Sequence, residues 1–144
     1  MEEKLISKLL DKETYKKIDH VIFLRNDTSR TIIQDPEKIF FLKFMPNGVV
    51  LQLPAKSCVE GHMVSLFIFK RIYLKKKIKL DLQGSPKIPG LIEMVGHVKE
   101  IVPIDDLGNS AAEIHFGQFD EDEWSKMLDE YDKQQDKINK LRKR

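Results

Sequence analysis

Residues 38–54 read KIFFLKFMPNGVVLQLP, and this stretch decides the fold. Two apolar runs, each about a strand long, flank Pro46-Asn47-Gly48. Asn-Gly between apolar runs is a strong short-range hairpin signal, because both residues tolerate the positive φ that a tight turn demands. A β-hairpin turning at Asn47-Gly48 is therefore expected. Upstream, VIFLR (21–25) and TIIQ (31–34) are rich in β-branched and aromatic residues, and turn signals follow them at Asn26-Asp27 and Asp35-Pro36. Downstream, the even-numbered Val64, Leu66, Ile68, Ile72, Leu74, Ile78, Leu80 and Leu82 alternate with more polar neighbours, which predicts a long strand or a bent pair. Gly84-Ser85-Pro86 and Pro89-Gly90 break the pattern before LIEMVGHVKEIVPI (91–104), and a turn over 106–110 leads into AAEIHFG (111–117). The count is six or seven strands. No helix-length pattern lies between Val21 and Gly117, which argues against a parallel sheet with crossover helices and makes an antiparallel barrel the natural closure.

The two ends change period. Leu5, Ile6, Leu9 and Leu10 recur at helical spacing, which predicts a short N-terminal helix within residues 2–17. At the other end Trp124, Met127, Tyr131, Gln134, Ile138 and Leu141 fall on the a and d positions of a heptad. Asp120 is placed to cap this longer helix, with Glu123 three residues on as an acidic form of the capping box. Its first half is expected to cover the barrel. Ile138 and Leu141 then lie beyond the barrel's reach, which points to self-association or a partner helix. The organisation is a helical leader (1–20), a barrel (21–119) and a C-terminal helix (120–144).

Composition excludes several classes of function. The chain has 144 residues, 41% of them hydrophobic and 33% charged, which is the balance of one globular domain. One cysteine, Cys58, rules out an internal disulfide framework and leaves a reducing compartment, with the cytoplasm the simplest address. No apolar run reaches the roughly 18 residues of a membrane span, and the first residues are too charged for a signal-peptide core. The histidines His20, His62, His97 and His115 are scattered, without the spacing of a metal motif, and no nucleotide-loop or nucleophile-elbow pattern occurs. Neither an enzyme nor a metal protein is indicated. Cys58 has no base near it in sequence and reads as a small buried filler. Residues 70–79, KRIYLKKKIK, carry six positive charges, and on a strand Arg71, Lys75, Lys77 and Lys79 would share one face with Phe69 and Tyr73. Such a face suits phosphates, but the formal net charge of only +2 favours lysines guarding a sheet edge over a nucleic-acid surface.

Taken in order, the arginine-bearing segment RNDTSR (25–30), the Asn47-Gly48 hairpin running into Val49-Val50-Leu51, VEGHMVSLFIF (59–69), GHVKEIVPID (96–105), EIHFGQFDEDEW (113–124) and a terminal helix make a pattern. Over residues 21–141 it resembles a PilZ domain. The resemblance implies a six-stranded antiparallel barrel with a C-terminal helix that binds cyclic di-GMP. In that family the ligand is held by an Arg-x-x-x-Arg leader and an Asp/Asn-x-Ser-x-x-Gly segment at the first hairpin. Guanidinium forks suit the phosphates and the guanine faces, and a glycine lets backbone approach a base. Carried onto this chain, the candidate contacts are Arg25, Arg30, Asn47 and Gly48. Two departures stand out: Arg25 and Arg30 are one residue too far apart, and Lys43 and Met45 occupy the Asp/Asn and Ser positions. The expected function is a regulatory binding module, a cyclic di-GMP receptor in bacterial control of motility, attachment or exopolysaccharide. The alternative is a divergent scaffold of the same kind that works through protein contacts.

Overall fold

The computed structural model describes residues 19–75 and 78–142, with residues 134–142 as backbone only. The helix expected over residues 2–17 lies outside the described residues. Seven strands form one antiparallel sheet: β1 (His20–Asn26), β2 (Thr31–Ile33), β3 (Phe40–Met45), β4 (Gly48–Pro54), β5 (Met63–Lys70), β6 (Ile92–Pro103) and β7 (Asn109–Phe119). They are followed by one helix, α1 (Glu121–Arg142). The strand order is β2-β1-β5-β6-β7-β4-β3, so β2 and β3 are the two edges, and the expected closed barrel is instead a curled half-barrel. The reason is local. Asp35 accepts a hydrogen bond from the Glu37 amide and caps a 3-10 turn over Pro36–Lys38, so β2 stops after three residues and the chain crosses to the far edge.

Inward-facing residues of the curled sheet, among them Ile22, Leu24, Leu51, Leu66, Ile68 and Ile114, merge with Trp124, Met127 and Tyr131 of α1 into one core. The helix thus fills the open mouth. It starts as the sequence predicts: the Asp120 carboxylate accepts from the Glu123 amide at 3.1 Å, and three acidic residues occupy the first turn, where the helix dipole favours them. The Trp124 indole N–H, fully buried, donates to the Met45 carbonyl at 2.8 Å and ties α1 to the β3 edge.

The predicted hairpin forms, with its turn one residue earlier. Met45 pairs with Gly48, so Pro46 and Asn47 are the central residues, and neither has a positive φ. Pro46 presets the turn in place of Asn-Gly. Gly48 is instead required by packing, since a Cβ there would run into the backbone carbonyl of Ile114 on β7 and lie 2.9 Å from the Met45 methyl.

The alternating run over 64–82 is not one strand. β5 ends at Lys70, a 3-10 turn covers Arg71–Lys75, and the following chain is irregular. Its apolar residues do a different job from the one the alternation predicts. β5 is buried on both faces, and its outward Phe67 and Phe69, with Val21 and Phe23 of β1, form a second core that Leu80, Ile78, Ile88 and Leu91 cover. Burial of these phenylalanines drives the chain to fold back over the sheet rather than extend it. Arg71, Lys75 and Lys79 consequently do not share one face of a strand.

Candidate functional site

Arg25 lies on the outer face of β1, and every nitrogen of its guanidinium is engaged. Nε donates to Asp27 Oδ1 at 2.7 Å, Nη2 to Ser65 Oγ at 3.3 Å, and Nη1 to the carbonyls of Gly84 at 3.0 Å and Asp81 at 3.4 Å. Ser65 Oγ donates in turn to Asp27 Oδ2 at 2.6 Å, and the guanidinium carbon sits 5.4 Å from the centre of the Phe67 ring. The side chain is 15% exposed. Arg25 is therefore a latch that pins residues 81–84 across the outer face of the sheet. The neighbouring Asn26 is fully buried; its Oδ1 accepts from the Thr28 and Ser29 amides, and its Nδ2 donates to the Ser57 carbonyl. That network shapes the β1–β2 turn and leaves Arg30 at its end, exposed, with φ of 59° and no hydrogen bond or ion pair among the described residues.

Asn47 and Gly48 are elsewhere. β5, β6 and β7 lie between β1 and β4 in the strand order of the curled sheet. The Asn47 carbonyl is occupied by the Phe116 amide at 2.8 Å, and Gly48 is buried against β7. Met45 gives its carbonyl to Trp124, and Lys43 pairs with Val50 beyond a bulge in the edge strand.

A second constellation escapes the sequence reading. His20, 7% exposed at the start of β1, faces Tyr131 of α1, and its Nδ1 lies 2.5 Å from the Tyr131 hydroxyl. That hydroxyl also accepts the Asp19 backbone N–H at 3.1 Å. Toward His20 the hydroxyl donates to Nδ1 in one tautomer of the imidazole and accepts from Nδ1–H in the other. Burial favours the neutral imidazole: it lowers the His20 pKa from 6.5, against the raising influence of Glu130 and Asp19, and pushes Tyr131 up to about 12. The His20 ring lines a cleft of about 330 Å³ between α1 and the β1–β5 end of the sheet, together with Lys70, Tyr73, Lys126, Met127 and Glu130. A second hollow of about 240 Å³ adjoins it, sharing Tyr73 and Pro89 and adding Lys79 and Lys87. The one sequence signal was Tyr131 at an inward heptad position, since a buried phenol needs a polar partner.

The remaining chemistry-bearing residues fall into place. His97 and His115 pair across β6 and β7 with ring centres 5.8 Å apart, and His115 Nε2 is 2.9 Å from Glu113 Oε2. Among the described residues no three metal-ligating side chains come together. Cys58 is buried in the inner core, and burial pushes its thiol up to about 11, which keeps it protonated at neutral pH. No helix among the described residues is long and apolar enough to cross a membrane. Set against known proteins, the chain matches no family model, no curated protein and no solved structure.

Proposed function

We propose that this protein is a non-catalytic regulatory module, a PilZ-like scaffold that acts through protein contacts and does not hold cyclic di-GMP at Arg25, Arg30, Asn47 and Gly48. The observation that carries this reading is the state of Arg25. A phosphate reaching its guanidinium would displace Asp27, Ser65 and two backbone carbonyls. Hydrogen bonds to a charged group contribute roughly 1.5–3 kcal/mol each, so the ligand would have to replace several at once and release residues 81–84 as well. Gly48 supports the same conclusion, because the space its missing side chain leaves is filled by the Ile114 carbonyl rather than open to a base. The contact surface in this reading is α1, whose backbone continues eleven residues past Tyr131, to Arg142, about 16 Å further along the axis. The sequence keeps the heptad through that stretch with Gln134, Ile138 and Leu141.

The receptor reading retains one supporting observation, the exposed Arg30, which forms no hydrogen bond or ion pair among the described residues. Calorimetric titration of the full chain with cyclic di-GMP separates the two, with GTP as control. No saturable heat is expected. Saturable binding that Arg30→Ala abolishes would reinstate the receptor reading. Arg30 is the informative position, since Arg25→Ala also unpins residues 81–84.

A further inference from the structure

We propose that His62 is a proton-operated clasp: its neutral ring holds the loop between β4 and β5 against the β1–β2 turn, and protonation of that ring releases residues 55–60 and uncovers Cys58. The hydrogen bonds around the ring fix where its proton sits. Asn26 is fully buried and its amide orientation is set by backbone groups, since Oδ1 accepts from the Thr28 and Ser29 amides at 3.0 Å and Nδ2 donates to the Ser57 carbonyl at 3.0 Å. The same Nδ2 lies 3.0 Å from His62 Nδ1, and the Val59 amide donates to that nitrogen at 3.3 Å. Both partners of Nδ1 are donors, so Nδ1 accepts and the ring carries its proton on Nε2. A second proton can go only to Nδ1. There it sets one N–H against two others, one of them on a buried side chain, so the charged ring and the closed loop exclude each other.

The clasp acts on the two neighbours of Cys58. Asn26 holds the Ser57 carbonyl and His62 holds the Val59 amide, and Cys58 between them is 3% exposed in the inner core. Lys56, at the start of the same loop, sits at φ of 69°, in the left-handed region that a side chain disfavours, so these bonds hold the loop against a local preference. The other end is tied independently: the Gly61 amide donates to the Val98 carbonyl at 2.8 Å and the Val98 amide to the His62 carbonyl at 2.9 Å. His62 therefore stays on β6 as the hinge while residues 55–60 move. Charged groups on the elements around the ring are of both signs. Asp27 of the β1–β2 turn is bound by Arg25 and Ser65, and Arg30 at its end is exposed; Lys56 and Glu60 are exposed on the loop, and His97 and Lys99 flank Val98 on β6. The direction of the switch is thus set by hydrogen-bond polarity at Nδ1 rather than by a surrounding field.

The test is the rate at which a thiol reagent labels Cys58 in the full chain, divided at each pH by the rate for a peptide of residues 55–62, which cancels the ionisation of the thiol itself. Between pH 7.5 and 5.5 this ratio is expected to rise about tenfold or more, within the limit of about tenfold per pH unit that a single proton sets. His62→Asn keeps an oxygen acceptor at the place of Nδ1 and cannot take the proton, so its ratio should stay low and flat. His62→Leu removes the acceptor, and its ratio should be raised at pH 7.5 and equally flat. Urea denaturation of each chain gives the global unfolding constant, which the labelling ratio of the wild type must exceed for the release to be local. A wild-type ratio that does not change with pH would overturn the proposal. So would a ratio equal to the global unfolding constant throughout, or a pH dependence that persists in His62→Asn.

Discussion

Arg25 shows how a residue type can be legible while its role is not. The family resemblance makes it a candidate phosphate-binding guanidinium, and the structure uses the same planar fork to gather a carboxylate, a hydroxyl and two carbonyls. Nothing in RNDTSR discloses that partners 40 to 59 residues away would occupy it. Arg25→Ala is expected to lower the unfolding free energy by about 2 kcal/mol, since charge-assisted hydrogen bonds are lost from a mostly buried group. Urea denaturation measures the change, and faster amide exchange at residues 81–84 locates it. Arg25→Lys should recover less than half, because an ammonium cannot span the same fork. A fully stable Arg25→Ala would mean the latch holds nothing. His20 carries the second expectation at this scale. Its folded pKa is depressed below 6.5, so between the folded value and 6.5 the unfolded chain binds more protons than the native one. Its contribution is therefore complete above pH 6.5 and is lost as pH falls through the folded pKa. Stability measured from pH 7.5 downward should decline more steeply in the wild type than in His20→Gln, and equal slopes would place the pH dependence elsewhere.

Among the elements, the turn-bounded ones form where the sequence predicts them, the hairpin with its turn one residue earlier, whereas the long alternating run does not form a single strand. The β3–β4 hairpin, the acid-capped α1 and the antiparallel pairing all follow from local chemistry: a two-residue turn, a capping carboxylate, a period of two or of 3.6. The run over 64–82 keeps its period of two, yet only its first half is a strand. Period alone cannot say whether an apolar residue faces a sheet neighbour or lies flat on the sheet as a cover, because both bury it. The two halves make opposite forecasts for side chains that look equivalent in sequence. Leu80 is 3% exposed over Phe67 and Phe69, while Ile72 is 61% exposed. Leu80→Ala is expected to cost about 2–3 kcal/mol, at the lower end for a core truncation because the cover can settle, and Ile72→Ala less than about 0.5 kcal/mol. Similar losses at both positions, measured by chemical denaturation, would favour a continued strand over the fold-back.

At the scale of the whole molecule, an open sheet has two apolar faces to hide and two edges to protect, and this chain uses α1 for the inner face and residues 78–91 for the outer one. The described anchors of α1 are Trp124, Met127 and Tyr131, with Leu128 partly buried beside them. A chain ending at Lys133 keeps all of them, together with the Tyr131 bonds to Asp19 and His20. It is therefore expected to fold with a melting temperature within about 3 °C of the full chain, a shift that corresponds to about 1 kcal/mol for a domain of this size. Trp124→Ala in the full chain, by contrast, should cost about 3–5 kcal/mol, since it empties the centre of the core and removes the bond to the Met45 carbonyl. If the second half of α1 serves contacts rather than the core, sedimentation should show a larger species for the full chain and a monomer for the chain ending at Lys133. The same monomer for both would exclude self-association and leave a different protein as the partner of Ile138 and Leu141. A large loss of stability on truncation would instead assign residues 134–144 to the fold itself, and the contact reading of α1 would fall with it.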